Sequence, residues 1–381
     1  MNSPLLVAHV ITKLELGGAQ INTLYTYENL DSARFQTWLV CGPGGMLEPA
    51  PEHRQNWRIA GHLGRPIRPL RDWLALKELT RILKQIDPAI VHTHSSKAGI
   101  LGRLAARFAG TPVIIHTVHG FSFSPHQPWL KRTLLFLAEK AVARFTTHFI
   151  FVSEDDRKTG RRLMKIGDNC SLIRSGFPLE PFRKPPTAAG EIKARYAIPA
   201  GAPVCGVIAP FKPQKGLDHL LEIAAHVVRQ RPDVIFFLAG DGDLRPMLEG
   251  RLREKGIAEN FRLPGFIRDL APVVDMFDIG VSTALWEGLP QSLVQLRLKK
   301  KPAVVSDIAG NRCVIRQNEN GFLVSFSDHQ AFAEKILALL NDQALRRRLG
   351  EYPDDYAEFD ARRMVERQME LYDCLLARSK N

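Results

Sequence analysis

The chain has few cysteines, and none of them lies close to another. Disulfide scaffolds and zinc ribbons need closely spaced cysteine pairs, so both are excluded, and the pattern is typical of a reducing compartment. The five residues are Cys41, Cys170, Cys205, Cys313 and Cys374. No apolar run approaches the roughly 18 residues that cross a bilayer. A signal peptide has a basic segment and a cleavage site of small residues, and the first twelve residues have neither. The sequence therefore predicts a cytoplasmic protein.

The sequence has fewer acidic than basic residues. There are 40 Asp and Glu against 52 Lys and Arg, which gives a net charge of +12 and a pI near 9.6. A field of this sign attracts nucleic acid, anionic lipid or phosphorylated small molecules. The sequence contains no recognised nucleic-acid module or aromatic stacking platform, so we expect no nucleic-acid partner.

Length and hydropathy pattern indicate two domains. The 381 residues exceed one ordinary core and fit two domains of about 150–200 residues. In both halves, short β-branched runs alternate with amphipathic stretches, which predicts parallel sheets covered on both faces. The fold class is therefore α/β, with two doubly wound Rossmann-like domains. We predict domains at 1–177 and 191–360, a proline-rich linker at 178–190, and a helix at 361–381 that could pack on the first domain.

The first half places glycines and histidines directly after strands, where doubly wound folds bind ligands. Gly17 and Gly18 open a helix, and their N–H groups could approach a phosphate; a simple turn is the alternative. His92 and His94 share one face of a strand, and His119 ends the next strand. A metal pair is conceivable, but no carboxylate or thiol stands at ligand spacing, so we predict no metal site.

The second half carries two loops of the same kind. Lys212 and Lys215 precede a helix and could clamp a diphosphate, or form a solvated basic turn. Glu287 stands before a helix whose first turn Pro290 suits, and Gln295 lies on one helix face with Gln291. The backbone groups expected to face an anion are those of Gly288, Leu289, Gln291 and Ser292.

Taken in order, these motifs resemble family 4 glycosyltransferases, which have the two-domain GT-B fold. The resemblance runs through the glycine pair, HTHSSKAGILGR, HTVHGF, FKPQKG, AGDGDLR, WEGLPQSLVQ and NGFLV. It implies an interdomain cleft, with an acceptor-side first domain and a nucleotide-sugar-binding second domain. It also implies retaining hexosyl transfer from a nucleotide sugar, a UDP-sugar being expected, to a lipid-linked or saccharide acceptor in surface polysaccharide synthesis. No cofactor or obligatory metal is implied.

The resemblance also assigns roles to single residues. His119 would contact the donor sugar and support the departing phosphate, Lys215 would neutralise the diphosphate, and Glu287 would hold sugar hydroxyls. The loop at Gly265 and Phe266 would hold the base. The remaining donor-binding residues would be Gly17, Gly18, Lys212, Gly288, Leu289, Gln291, Ser292 and Gln295.

Several positions depart from the family pattern. Gln295 replaces a glutamate, Pro210 stands near a usual arginine, and Cys313 replaces a second glutamate. Leu296 and Lys300 stand where small residues are usual. Two alternatives therefore remain open. One is a catalytically weak homologue that serves as a partner subunit for another transferase, and the other is a sugar-nucleotide epimerase on the same fold.

A basic amphipathic stretch raises the question of a membrane. In residues 129–145, Leu130, Leu134, Leu137 and Ala141 share one helical face. Such a helix either lies on anionic lipid or packs its apolar face on the core, and we favour the core. The residues predicted to face an acceptor or a membrane are Arg68, Arg71, His94, Lys97, Lys131 and Arg132.

Overall fold

A computed structural model describes residues 4–15, 17–121, 123, 129–288 and 290–379, without the side chains of Lys131 and Ser379. The chain divides into two compact units. The first unit comprises 1–178 and 357–381, and the second comprises 179–356.

The first unit is built on a seven-stranded sheet in which every pairing is parallel. Its strand order is β3-β2-β1-β4-β5-β6-β7. The strands are β1 (Leu5–Lys13), β2 (Phe35–Gly42), β3 (Trp57–Ile59), β4 (Ile90–His94), β5 (Val113–Val118), β6 (His148–Phe151) and β7 (Cys170–Leu172). The helices are α1 (Gly18–Asn29), α2 (Pro69–Ile86), α3 (Ser96–Ala109), α4 (Trp129–Ala143) and α5 (Glu154–Met164).

The second unit repeats the scheme with six parallel strands in the order β10-β9-β8-β11-β12-β13. The strands are β8 (Val204–Ile208), β9 (Ile235–Ala239), β10 (Phe261–Gly265), β11 (Ile279–Ser282), β12 (Ala303–Ser306) and β13 (Gly321–Val324). The helices are α6 (Glu180–Arg183), α7 (Ala189–Arg195), α8 (Leu217–Gln230), α9 (Arg245–Glu254), α10 (Ala271–Asp275), α11 (Gln291–Leu298), α12 (Ala309–Arg312), α13 (His329–Asn341) and α14 (Gln343–Gly350).

Helix α2 shows why these sequences form these elements. Pro69 occupies its first turn, where the missing N–H is not needed. Its buried side chains, among them Ala75, Leu79 and Leu83, recur every four residues and cover one face of the sheet. The helix ends at Asp87, which has a left-handed backbone.

The two sheets confirm the predicted fold class of two doubly wound α/β domains. In each sheet the strand order reverses beside the first strand of the unit, between β1 and β4 and between β8 and β11. Such a switch point leaves a crevice beyond the carboxyl ends of the two strands, which is where ligands bind in this architecture.

The last helix, α15 (Ala361–Ser379), packs on the first unit. Its buried Tyr372 meets the ring of Phe35 edge-on, with the ring centroids 5.9 Å apart. Met364 and Leu375 complete this contact with the strands. Within the predicted linker, residues 178–190, the structure has α6 and the start of α7.

Candidate active site

The switch point of the second unit brings two distant loops together. After β8, a 3-10 turn at Pro213–Lys215 leads into α8. The ammonium group of Lys215 forms an ion pair with the Glu287 carboxylate, and both side chains are largely buried. Gly216 enters α8 with φ +58°, and a Cβ atom there would lie 2.2 Å from the carbonyl oxygen of Thr283. Only glycine therefore allows the two loops to approach this closely.

Further hydrogen bonds hold the same two loops. The Gln214 side-chain amide donates to the carbonyl oxygen of Trp286 at 2.8 Å and reaches a Glu287 oxygen at 3.5 Å. The Leu285 N–H donates to the Gln214 carbonyl at 2.9 Å, and the Thr283 hydroxyl donates to the Lys215 carbonyl at 3.1 Å. The two motifs, 72 residues apart, thus form one fixed unit.

Gly310 of helix α12 lies in close contact with the backbone of Glu287. A Cβ atom on Gly310 would lie 2.4 Å from the Glu287 carbonyl oxygen and 2.8 Å from its Cβ. The backbone of Glu287 therefore rests directly on this glycine. The sequence did not single out Gly310 or Gln214, because their partners are distant along the chain.

Helix α11 begins at Gln291, and Pro290 is its N-cap residue with φ −79° and ψ 85°. The prediction that Pro290 lies in the first helical turn is therefore wrong by one position. Ser292 and Gln295 are half-buried on this helix. Leu289 lies outside the described residues, and Gly288 before it is partly exposed.

The departure at Leu296 has a structural counterpart in β11. A Cβ atom on Gly280 would lie 2.4 Å from a methyl carbon of Leu296. The larger side chain on the helix therefore fills space that a glycine on the strand leaves free. Leu296 is buried in the core, so this departure does not intrude on the Lys215 and Glu287 loops.

The predicted base-binding loop follows β10. Gly265 has φ +85°, and its carbonyl oxygen accepts from the Gly240 N–H at 2.9 Å. The Phe266 ring is 53% exposed. Lys212 lies half-buried at the start of the turn that holds Lys215. Each of these predicted donor-binding residues lies near the carboxyl end of a strand in the second unit.

The glycine pair in the first unit opens α1. Gly17 is the N-cap residue, with an extended backbone, and Gly18 is the first helical residue. A Cβ atom on Gly17 would lie 2.6 Å from the Gln20 side-chain oxygen. A larger residue would therefore crowd the first helical turn.

The first unit has a buried cluster of histidines at its switch point. His9 on β1 and His94 on β4 bond through Nδ1 and Nε2 at 3.1 Å. His94 Nδ1 lies 3.4 Å from Nε2 of His119, which follows β5. His92 shares a strand face with His94, as predicted, and their ring centroids are 4.2 Å apart. His9 was not predicted, because the register that places it opposite His92 cannot be read from either strand alone.

The ring of His92 is bonded on both sides. Its Nδ1 lies 2.6 Å from the Tyr372 hydroxyl, and its Nε2 lies 2.6 Å from the Thr117 hydroxyl. Burial lowers the pKa of His9 to about 3 and that of His119 to about 4. It also holds the pKa values of His92 and His94 well below the usual range. All four rings are therefore neutral at pH 7.

Three histidines of this cluster lie close enough together to be compared with a metal-binding site. One ring nitrogen from each of His9, His92 and His94 lies within 4.8 Å of the others. Both His92 nitrogens already bond to hydroxyl groups, however, so an ion would have to displace one of these bonds. Hydrogen bonds among the described residues therefore already hold His92 at both nitrogens, and the absence of a metal site stays a prediction.

Structural contacts hold some of the predicted acceptor-side residues. The Lys97 ammonium lies 2.5 Å from an Asp72 oxygen, and Arg71 donates to the carbonyl oxygen of His62 at 3.1 Å. Arg68 and Arg132 are exposed, and the side chain of Lys131 lies outside the description. His94 is buried, so it does not face a membrane surface.

Helix α4 does not pack its predicted apolar face on the core. The exposed fractions are 76% for Trp129, 56% for Leu130, 60% for Leu134 and 53% for Leu137. The core-facing interpretation is therefore wrong. The helix is instead anchored through its other side, where Glu139 pairs with the buried Arg103 at 2.5 Å. No helix among the described residues is long and apolar enough to span a membrane.

Comparison with known proteins agrees with this architecture. Residues 16–180 match the Glycosyltransferase Family 4 family, and residues 189–354 match Glycosyl transferases group 1. The chain is 29% identical, over 90% of both chains, to the Escherichia coli UDP-Gal:alpha-D-GlcNAc-diphosphoundecaprenol alpha-1,3-galactosyltransferase. It is 28% identical to the putative glycosyltransferase EpsD of Bacillus subtilis, over 79% of this chain and 80% of that one.

Solved structures with the same fold cover almost the whole chain. Anabaena Alr3699/HepE in complex with UDP-glucose has a TM-score of 0.81 at 16% identity, covering 97% of this chain and all of the other. Sucrose-phosphate synthase from Thermosynechococcus elongatus has a TM-score of 0.83 at 21% identity, covering 98% and 99%. Identities this low show the fold alone. The two family matches, over residues 16–180 and 189–354, and the relatives named above show that this chain belongs to the family 4 glycosyltransferases of the GT-B fold and is an enzyme that transfers glycosyl groups.

Proposed function

We propose that this enzyme moves a sugar from a UDP-sugar to a lipid-linked or saccharide acceptor, with retention at the anomeric carbon, in the synthesis of a surface polysaccharide. The observation that carries the proposal is the ion pair between Lys215 and Glu287 at the switch point of the second unit. These are the charged groups that a diphosphate and a sugar hydroxyl require.

The pair explains how the donor is held. Lys215 supplies a cation for the diphosphate, and Glu287 supplies acceptors for sugar hydroxyls. Without donor, each group neutralises the other, so neither charge is left unpaired in a largely buried place. Donor binding replaces this contact with two new ones, and the positive charge meets the negative charge that develops as the glycosidic bond breaks.

We propose that this transfer needs no metal ion. The leaving diphosphate can be neutralised by Lys215 and by the positive end of the dipole of helix α11, which begins at Gln291. Neutral His119 is proposed to donate a hydrogen bond to the donor sugar or departing phosphate. These groups are the protein's own, so the reaction should proceed in a chelator.

The identity of donor and acceptor rests on similar proteins. The name of the E. coli relative gives a UDP-sugar donor and a diphosphoundecaprenol acceptor, and HepE was crystallised with UDP-glucose. We propose a UDP-sugar here as well, and an acceptor carried on a lipid diphosphate.

An exposed apolar surface supports a peripheral membrane position. On α4, Trp129, Leu130, Leu134 and Leu137 face solvent, with Arg132 exposed beside them. The start of α2 also exposes apolar side chains close to basic ones: Ile67, Leu70 and Trp73 with Arg68 and Arg71. Apolar side chains can enter the lipid while each nearby basic residue contributes about 1 kcal/mol at an anionic surface. We propose that the first unit docks on the cytoplasmic face of the membrane in this way.

The donor proposal is tested by binding and turnover. UDP, GDP, ADP and their sugar conjugates are compared by thermal shift in EDTA and in magnesium, because a ligand of the native state raises its melting temperature. We expect stabilisation by the uridine compounds in EDTA. The Lys215→Ala variant should lose this shift and about a hundredfold in kcat/KM, a loss of about 2.7 kcal/mol in transition-state stabilisation.

The matched control is Lys255→Ala, which removes a lysine paired with Glu222 on the surface of the same unit. It should leave binding and turnover unchanged. Binding of UDP without transfer to any saccharide or lipid-diphosphate acceptor would favour a partner subunit. Conversion of the free sugar nucleotide without acceptor would favour an epimerase.

The membrane proposal is tested by co-sedimentation with phosphatidylglycerol vesicles. The double variant Leu134→Ser with Leu137→Ser should lose binding, whereas Met46→Ser should not, although Met46 is 73% exposed in the same unit. Equal binding of the three proteins would refute the assignment of this surface.

A further inference from the structure

We propose that His94 is a positioning residue that fixes the tautomer of His119, so that the His119 hydrogen resides on Nδ1. The functional consequence rests on the role proposed above for His119, whereas the tautomer itself can be observed without any substrate. The proposal follows from the order in which four neutral rings and two hydroxyl groups bond to one another.

The two bonds along the chain of rings admit only two arrangements. His9 Nδ1 bonds His94 Nε2, and His94 Nδ1 bonds His119 Nε2. Each neutral ring carries one hydrogen, so donating with one nitrogen means accepting with the other. Either His9 donates to His94 and His94 donates to His119, or both bonds run in the opposite direction.

The environment of His9, the first ring of the series, decides between these two arrangements of hydrogen bonds. His9 Nε2 is buried and has no hydrogen-bond partner among the described residues. If the bonds ran from His119 towards His9, this nitrogen would carry a buried N–H without an acceptor, which is rare and costs about 1–3 kcal/mol. In the other direction it carries only an unused lone pair. The His119 Nε2 atom therefore accepts, and its Nδ1 atom holds the hydrogen.

A second series of hydrogen bonds in the cluster, the branch from Tyr372 through His92 to Thr117, also has its donors directed from the core outward. The Tyr372 hydroxyl bonds His92 Nδ1, and His92 Nε2 bonds the Thr117 hydroxyl. If Tyr372 accepted, its own hydrogen would have no other partner among the residues that the structure describes, because only His92 bonds it. Tyr372 therefore donates, His92 donates onwards through Nε2, and the Thr117 hydrogen is left free.

Both branches end at one small pocket. Thr117 and His119 line it together. Each branch begins at a buried group in the core, His9 or Tyr372, and passes a hydrogen-bond donor outward. The residues that line the pocket therefore include two hydrogen-bond donors, the Thr117 hydroxyl group and the Nδ1–H group of His119. It should favour a ligand oxygen that carries lone pairs and no hydrogen, such as a phosphate or ring oxygen.

The tautomer is tested by long-range proton–nitrogen NMR of the full chain labelled with ¹⁵N-histidine. Single histidine variants assign the signals. At pH 7 we expect His94 and His119 to show a protonated Nδ1 and a bare Nε2. A His119 signal with the hydrogen on Nε2, or a mixture of the two forms, would overturn the proposal even if the enzyme is fully active.

Two substitutions at His94 connect the tautomer to turnover. His94→Asn keeps an N–H donor attached to Cγ, the atom that carries Nδ1 in histidine. His94→Leu has no donor. Both leave His9 without its acceptor, so their difference isolates the donor to His119. We expect kcat of His94→Leu to fall about tenfold and that of His94→Asn about threefold or less, with the donor KM little changed in both.

The control is His148→Gln. His148 is a buried histidine of the same sheet that bonds Ser171 at 3.1 Å and lies outside the cluster. It should keep the wild-type kcat and the wild-type His119 signal. Equal kcat losses in both His94 variants would refute the positioning role. If no nucleotide sugar is turned over at all, the proposed function fails while the NMR spectrum still decides the tautomer.

Discussion

Acidification from pH 7 to pH 5 should unfold the first unit selectively. Burial lowers the pKa values of six histidines in this unit, so their native forms resist protonation. They are His9, His92, His94, His116, His119 and His148. Once unfolded, each ring regains its ordinary pKa of 6.5. Between the native and unfolded pKa values the unfolded chain binds more protons, so stability falls as the pH falls.

The magnitude follows from the native pKa values. For His9, with a native pKa of about 3, the step from pH 7 to pH 5 lowers the free energy of unfolding by about 2 kcal/mol. His119 and His148, each with a pKa of about 4, lose a similar amount, which brings the total to about 6 kcal/mol. The other three histidines act in the same direction. Because a domain has only about 5–15 kcal/mol of stability, a cooperative transition near pH 5 is expected.

Hydrogen exchange read by mass spectrometry distinguishes the two units. After correction for the intrinsic exchange rate, peptides from β1, β4 and β5 should lose protection at pH 5. Peptides from β8 and β11 should keep it, because the fully buried histidines among the described residues all belong to the first unit. In His9→Gln, the pH dependence of stability should be about 2 kcal/mol smaller over the same range. Full protection of the first unit at pH 5, or earlier loss in the second unit, would refute the reasoning.

Three substitutions test single features. Arg103→Met leaves Glu139 buried and unpaired, so the free energy of unfolding should fall by about 3–5 kcal/mol; adding Glu139→Leu should recover most of it in urea denaturation. Gly310→Ala pushes a methyl group against the Glu287 backbone, so the donor KM should rise and the free energy of unfolding should fall by about 1–3 kcal/mol. Lys300 has φ +56°, so Lys300→Gly should relieve about 1 kcal/mol of backbone strain and raise the melting temperature, and a decrease would argue against strain.

The elements that could be predicted from sequence are those whose hydropathy pattern is strong. The continuous apolar runs PVIIHTVHG and DVIFFLAGDG predict β5 and β9, because a strand covered on both faces has no polar side. The motif loops were located because each directly follows such a strand. The hydropathy pattern does not indicate helices α5 and α14, because both are polar and α14 carries three successive arginines at 346–348. Their starts are fixed instead by side-chain caps from Ser153 and Asp342.

What the sequence could not provide is what each surface or side chain meets. The periodicity of α4 identified its apolar stripe correctly but gave no indication that the stripe faces solvent while Glu139 faces the core. The importance of His9 depends on the register between β1 and β4. The contact of Tyr372 with His92 spans 280 residues. These features depend on tertiary arrangement, which no local pattern encodes.

The return of α15 to the first unit has a consequence for the order of events during synthesis. The second unit is continuous in sequence, so it can fold as soon as its own residues leave the ribosome. The first unit cannot complete its core until residues 361–379 have followed, because Tyr372 and its neighbours on α15 are part of it. Until then the hydroxyl partner of His92 is missing and its ring lacks one of its two bonds. The nascent enzyme should therefore hold a finished second unit beside an unfinished first one, and its histidine cluster should be assembled late.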